Sequence, residues 1–225
     1  MATTEESVRE KVICVCRVLD GMGLVEGFGH VSVRLPDGNM LIIPARAPGL
    51  ARADELVTFS PEGVLVAGRE GTSPLERWMH LAVYRARPDV HAICRTHSRM
   101  AAVLGVANTS VRTAHGFGGM LGTVVPVHSE NDLITNDAMG QAVAISLDDK
   151  VGLLLRGNGA LVTGATLPQA CVRAIYLEEA AWLQVTATRV GGAIPFTPEE
   201  LDARSRWHDV EMERAWDYYS AKFSS

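Results

Sequence analysis

The chain has 225 residues, of which 47% are hydrophobic and 21% charged, and its formal net charge is −5. One α/β domain of that length is ordinary and can bury a sizeable core, whereas a net negative chain lacks the basic face that nucleic acids call for. No apolar run approaches the roughly 20 residues that a membrane-spanning helix needs.

The N-terminal residues 1–6 are acidic and lack the basic start of a signal peptide, so a cytoplasmic protein is expected. Thr3 and Glu6 have the spacing of a capping box, which predicts a first helix over about residues 4–21. Cys14 and Cys16 fall on it. Cys-x-Cys on a helix is neither a redox pair nor a zinc knuckle, and with Cys94 and Cys171 these read as reduced, buried thiols. β-Branched runs predict strands at residues 31–34, 40–43, 57–59 and 64–66, the first two joined by a tight Asp37-Gly38 turn. Ser73 and Glu76 predict a capped second helix over about residues 74–87, with Pro74 in its first position. A strand at 90–96 and a third helix at 98–105 follow. Further strands are predicted at 123–127, 151–155 and 160–163. Thr166 and Gln169 open the longest helix, about 167–190, which stops at Gly191-Gly192. Thr197, Pro198 and Glu200 open a helical tail that covers much of 198–223. Strands in hairpins between helical segments predict a three-layer α/β/α sandwich with a mostly antiparallel central sheet, not a doubly wound one. All 225 residues are read as one domain, with the tail from about residue 198.

Side chains alternate along a strand, so Arg95 and His97 point to the same face and can share one space. They are either a site or an ordinary pair at a strand end. Glu76 by itself reads as the N3 carboxylate of a capping box. His80, one helical turn later, reads as a packing or supporting residue. Asn158 between Gly157 and Gly159 reads by itself as a turn residue in a left-handed conformation. The glycine-rich stretch 116–122 lacks the Gly-Lys-Ser/Thr of a phosphate loop and reads as a flexible cleft wall, and His128 reads as a surface residue.

Several short motifs share one order and spacing: Gly27-Phe28-Gly29-His30-Val31-Ser32-Val33-Arg34, Ile43-Pro44-Ala45-Arg46-Ala47-Pro48-Gly49, Ser73-Pro74-Leu75-Glu76, Cys94-Arg95-Thr96-His97-Ser98 and Arg156-Gly157-Asn158-Gly159-Ala160. Together, over roughly residues 6–190, the chain resembles the class II aldolase/adducin family. The resemblance implies a metal held by a His-x-His pair and by one more His before a Gly. Only His97 of those three imidazoles is present; Arg95 and Asn158 stand in the other two positions. His30, the Ala47-Pro48-Gly49 segment and His115 in Thr113-Ala114-His115-Gly116-Phe117 are closer to the decarboxylase-like branch, which includes enzymes acting on hydroxylated aromatic or pyridine carboxylates.

The resemblance implies a carbon–carbon lyase working through an enolate-like intermediate on a small oxygenated carboxylic acid. Glu76, Arg95, His97, His115 and Asn158 are the expected catalytic residues, and His30, Ser32 and Arg46 the expected substrate contacts. Arg34 is either a second carboxylate partner or a surface ion pair. Two imidazoles are missing and a cation sits beside the third, so no metal is expected at the family site. The alternative is zinc or manganese on a rearranged set of His97, Glu76 and His115. A third reading is a non-catalytic binding or assembly protein, as adducin is. The family also implies a homotetramer with clefts between subunits, which the tail of a neighbour can reach.

Overall fold

The computed structural model describes residues 5–223, so Thr3 of the first expected capping box lies outside the described residues. Helix α1, Glu5–Gly21, buries Val12, Val15, Val18 and Leu19 on one stripe, as helical spacing dictates. Strands β1 (His30–Arg34) and β2 (Met40–Ile42) form the expected antiparallel hairpin, and Gly38 at its turn takes φ +87°. Strands β3 (Val57–Phe59) and β4 (Leu65–Ala67) extend it.

Helix α2, Arg77–Ala86, starts three residues later than Pro74, and no side chain caps its first turn. The expected Ser73–Glu76 capping box is therefore not formed. The Glu76 carboxylate is engaged elsewhere, by His30 and Arg95. Strand β5 (Ala92–Thr96) follows, then helix α3 (Arg99–Val106), whose free N–H groups at Met100 and Ala101 donate to the Glu178 carboxylate. The predicted strand at 123–127 is two strands in two sheets. Strand β7 (Val124–Val125) pairs with β6 (Val111–Arg112) in a separate ribbon, while β8 (Val127–His128) joins the main sheet. Pro126, which has no N–H to donate, separates them.

Helix α4, Asp137–Leu147, was not predicted; Asn136 caps it by accepting from the Met139 N–H at 3.0 Å. Strands β9 (Gly152–Leu155) and β10 (Ala160–Gly164) lead into α5 (Leu167–Ala187), where Thr166 caps as expected. A short 3-10 turn then stops at Gly191, with φ +111°. The tail is two helices, α6 (Pro198–Ser205) and α7 (His208–Lys222), the first opened by the Thr197–Glu200 capping box.

The main sheet runs β4-β3-β2-β1-β5-β10-β9-β8 and is antiparallel except for β8 against β9. Alternation along its strands divides the core. Val31, Cys94, Leu154 and Val162 pack with α1 and α5 on one face. Met40, Ile42, Ile93 and Leu161 pack with Met79 and Val83 of α2 and Val143 and Leu147 of α4 on the other. This is the predicted α/β/α sandwich. Ser32 and Arg95 occupy the α2 face, in step with Ile93, because they alternate with Val31 and Cys94. All four cysteines are unpaired, and Cys14 is half-buried rather than buried.

Candidate active site

The ends of β1 and β5, the loop before α2 and the β9–β10 turn enclose a cavity of about 470 Å³. His30, Arg46, Glu76, Arg95, His97 and Asn158 line it, with Phe28, Pro44, Leu75 and Leu133 supplying apolar wall. Six of the eight residues singled out from sequence therefore meet in one place.

Arg95 is the centre of the polar floor. Its side chain is fully buried, with Nη1 donating to the Thr96 carbonyl at 3.1 Å and to His97 Nε2, and Nη2 lying 3.1 Å from Glu76 Oε2. A guanidinium can only donate, so His97 Nε2 accepts and the imidazole is neutral with its proton on Nδ1. Burial and the Arg95 charge push His97 down to about 4. Burial by itself would raise the Glu76 carboxyl, but His30 and Arg95 outweigh it and hold the group below the usual carboxylate range. His30 Nε2 stands 3.6 Å from Glu76 Oε2, too far for a hydrogen bond, so that contact is electrostatic.

Hydrogen-bonding capacity is left over on both partners. Glu76 Oε1, Arg95 Nε and Arg95 Nη2 are buried and have no aligned hydrogen-bond partner among the described residues. Such groups are costly unless a water or a ligand completes them. Asn158 reaches the cavity because the turn that carries it is pressed against β5. Gly157 and Gly159 take φ +72° and +82°, and a Cβ on Gly159 would lie 2.1 Å from the Thr96 carbonyl oxygen.

Two expected site residues are elsewhere. Ser32 is wholly buried behind His30, its Oγ bonded to His80 Nδ1 at 2.7 Å and Tyr84 OH at 2.8 Å, and it does not line the cavity. His115 does not line this cavity. The chain after β6 turns into a 3-10 helix, Phe117–Leu121, that packs on α5 and α7, and His115 lies against Gly118 there. The glycine-rich stretch is part of that packing and does not line this cavity. Arg34 spans the end of α2, donating to the Tyr84 and Arg87 carbonyls, which occupies its guanidinium with backbone. His128 is buried and bonded to Ser146, not a surface residue. Sequence reasoning gave His80 no specific partner; the signal was its position one turn after Glu76 on the face that meets β1.

A family-type divalent ion fits these residues poorly. Arg95 donates to His97 Nε2 and contacts Glu76 Oε2, so a cation already engages the atoms that would ligate a metal. Among the described residues no three His, Cys, Asp or Glu side chains converge as such an ion requires.

Fold and cleft together define a lyase-type enzyme of class II aldolase architecture. Residues 10–185 match the Class II Aldolase and Adducin N-terminal domain. The chain belongs to that family, in its decarboxylase-like branch. It is 30% identical over 241 residues to the 3,4-dihydroxyphthalate decarboxylase of Arthrobacter keyseri, covering 99% of this chain and 96% of the relative. Against the 3-oxo-tetronate 4-phosphate decarboxylase of Escherichia coli O6:H1 (strain CFT073) it is 28% identical, covering 81% and 88%. The solved structure of an L-fuculose 1-phosphate aldolase superposes with a TM-score of 0.82 over 92% of this chain and 97% of that one; at 23% identity this likeness concerns the fold.

Proposed function

We infer that the protein is a decarboxylase- or aldolase-like lyase acting on a small hydroxylated carboxylic acid, with Arg95 supplying the positive charge that a metal supplies elsewhere in the family. The observation that carries this reading is the fully buried guanidinium between Glu76 and His97, with unpaired donors on Arg95 and an unpaired acceptor on Glu76. Unpaired guanidinium N–H groups suit a carboxylate or a developing oxyanion. A free carboxylate oxygen suits a hydroxyl. The apolar wall of Phe28, Leu75 and Leu133 suits a flat or ring-bearing body, in keeping with the dihydroxyphthalate named for the Arthrobacter relative.

In this scheme Glu76 Oε1 takes the proton of a substrate hydroxyl, and Arg95 stabilises the oxyanion that results. Glu76 then returns the proton to the carbon bearing the carboxylate. The carbon–carboxylate bond breaks, carbon dioxide leaves, and the bonding pair regenerates the oxyanion, which solvent protonates. Asn158 and His30 contribute hydrogen bonds at the cavity wall, and Arg46, paired with Glu55 at 2.6 Å, stands at the mouth. His97 holds Arg95 in place. No role is assigned to His115 within one subunit. The whole chain is taken to act as one class II aldolase/adducin-like domain that assembles as a homotetramer in the cytoplasm.

The test is turnover in the presence of a chelator. Hydroxylated aromatic and aliphatic carboxylic acids would be screened for released carbon dioxide and for carbonyl fragments. Turnover by the parent chain, falling by about 100-fold or more in R95K, supports the reading, because Lys keeps the charge and loses the fork. Turnover that appears only on adding zinc or manganese overturns the role of Arg95. No turnover under either condition overturns the enzyme reading.

A further inference from the structure

Behind His30 lies an unbroken polar chain in an otherwise apolar layer. Tyr84 OH is 2.8 Å from Ser32 Oγ, Ser32 Oγ is 2.7 Å from His80 Nδ1, and His80 Nε2 is 2.6 Å from His30 Nδ1. His30 then presents Nε2 to Glu76 Oε2. The three positions come from β1 and from one face of α2, where His80 and Tyr84 are one turn apart.

We propose that Ser32 and His80 are positioning residues that lock His30 in the tautomer with its proton on Nε2, facing Glu76, while Tyr84 seats the Ser32 hydroxyl without setting the direction. Both ends of the chain select the same direction. At the cavity end a bare ring nitrogen would face a carboxylate oxygen at 3.6 Å, which is repulsive, so Nε2 carries the hydrogen. A neutral His30 then accepts at Nδ1, His80 donates from Nε2 and accepts at Nδ1, and Ser32 donates its hydroxyl to His80. At the far end Tyr84 has one proton, and Ser32 Oγ is its one hydrogen-bond partner among the described residues. In the reverse arrangement His80 donates to Ser32 Oγ, and one hydroxyl proton, that of Ser32 or that of Tyr84, is left without an acceptor among the described residues.

The chain is a lock and not a proton wire. Moving a proton through it toward Glu76 would leave a phenolate on Tyr84, and burial drives that phenol strongly upward. Burial and the neighbouring His30 and Arg95 push His80 far down, so the imidazole stays neutral. The result for the site is that Glu76 Oε2 is held by His30 and Arg95 while Oε1 is buried without a hydrogen-bond partner among the described residues. The catalytic meaning of that division rests on the reading of Glu76 as the proton-transfer group; the tautomer itself does not.

Nitrogen NMR of the full-length chain labelled with ¹⁵N-histidine tests the proposal without any substrate. H30Q and H80Q identify the two rings by the signals they remove. In the parent chain both rings should show a protonated Nε2 and a bare Nδ1. S32A should move His80 Nδ1 toward the protonated range and convert part of His30 to the other tautomer, whereas S32T should restore the parent pattern and Y84F should leave it. With the rings assigned through H30Q or H80Q, a protonated Nδ1 on either of them in the parent chain overturns the proposal even if S32A, S32T and Y84F fail to fold. An S32A spectrum identical to the parent's does so too. Activity is not read, so failure here is separable from failure of the proposed reaction.

Discussion

Arg95 Nη2 and Glu76 Oε2 lie 3.1 Å apart on the cavity floor, and the Arg95 side chain is 0% exposed. Two opposite charges out of water depend on each other far more than a surface pair does. Breaking such a pair strands the survivor and typically costs about 3–5 kcal/mol, whereas replacing both partners together is often nearly neutral. E76Q and R95M should each be markedly destabilised in urea melts, and the double variant less so than the sum of the two. Additive losses would mean that the pair is not coupled.

Acid should weaken the fold through the same cluster. His97 is held to about 4 against an ordinary 6.5, so below about pH 6.5 the unfolded chain takes up a proton that the native chain refuses. Stability tied to His97 is whole above pH 6.5 and falls as pH drops toward 4. Glu76, held low, adds a loss as pH falls through its own folded value. Melting temperatures across this range should fall less steeply for H97N than for the parent chain.

The family's three-imidazole arrangement can be rebuilt by design if its frame is intact. R95H and N158H together return the two missing imidazoles to positions beside His97. The double variant, purified with zinc and dialysed, should carry about one metal per chain, as a three-ligand site would. Elemental mass spectrometry reads the result, and a double variant with no more zinc than the parent would show that the backbone does not present these positions to one ion.

Two glycines flanking Asn158 should respond differently to one added methyl group. Both take positive φ, which costs an L-residue about 1–2 kcal/mol. Only at Gly159 does the new Cβ also strike backbone, 2.1 Å from the Thr96 carbonyl; at Gly157 it meets nothing within 4 Å. G159A should therefore be the more destabilised in denaturant melts and should displace Asn158, while G157A should show the conformational cost alone.

The cavity was legible where one local rule sufficed. Strand alternation puts Arg95 and His97 on one face, and motif order brings Glu76, His30 and Asn158 to them. Rules about local hydrogen bonding failed where a tertiary partner competed. Glu76 has capping-box spacing, yet Arg95 and His30 claim its carboxylate. Ser32 shares a strand face with His30, but depth along the strand, which alternation does not encode, puts it behind the cavity. Helix α4 escaped notice because Gly140 weakens its helical signal. That glycine is there for contact, since a Cβ would lie 2.4 Å from the Trp78 carbonyl oxygen of α2. His115 was expected at the site by resemblance, and nothing local could reveal that the chain after β6 turns away.

A side chain, unlike an ion, is present in every copy the ribosome makes. The positive charge that Arg95 places beside Glu76 has no loading step, no dissociation constant and no competitor from the wrong element. Zinc starvation, chelation or mismetallation cannot strip that charge from the cleft. It also cannot be tuned by exchange: only substitution of the residue itself removes it.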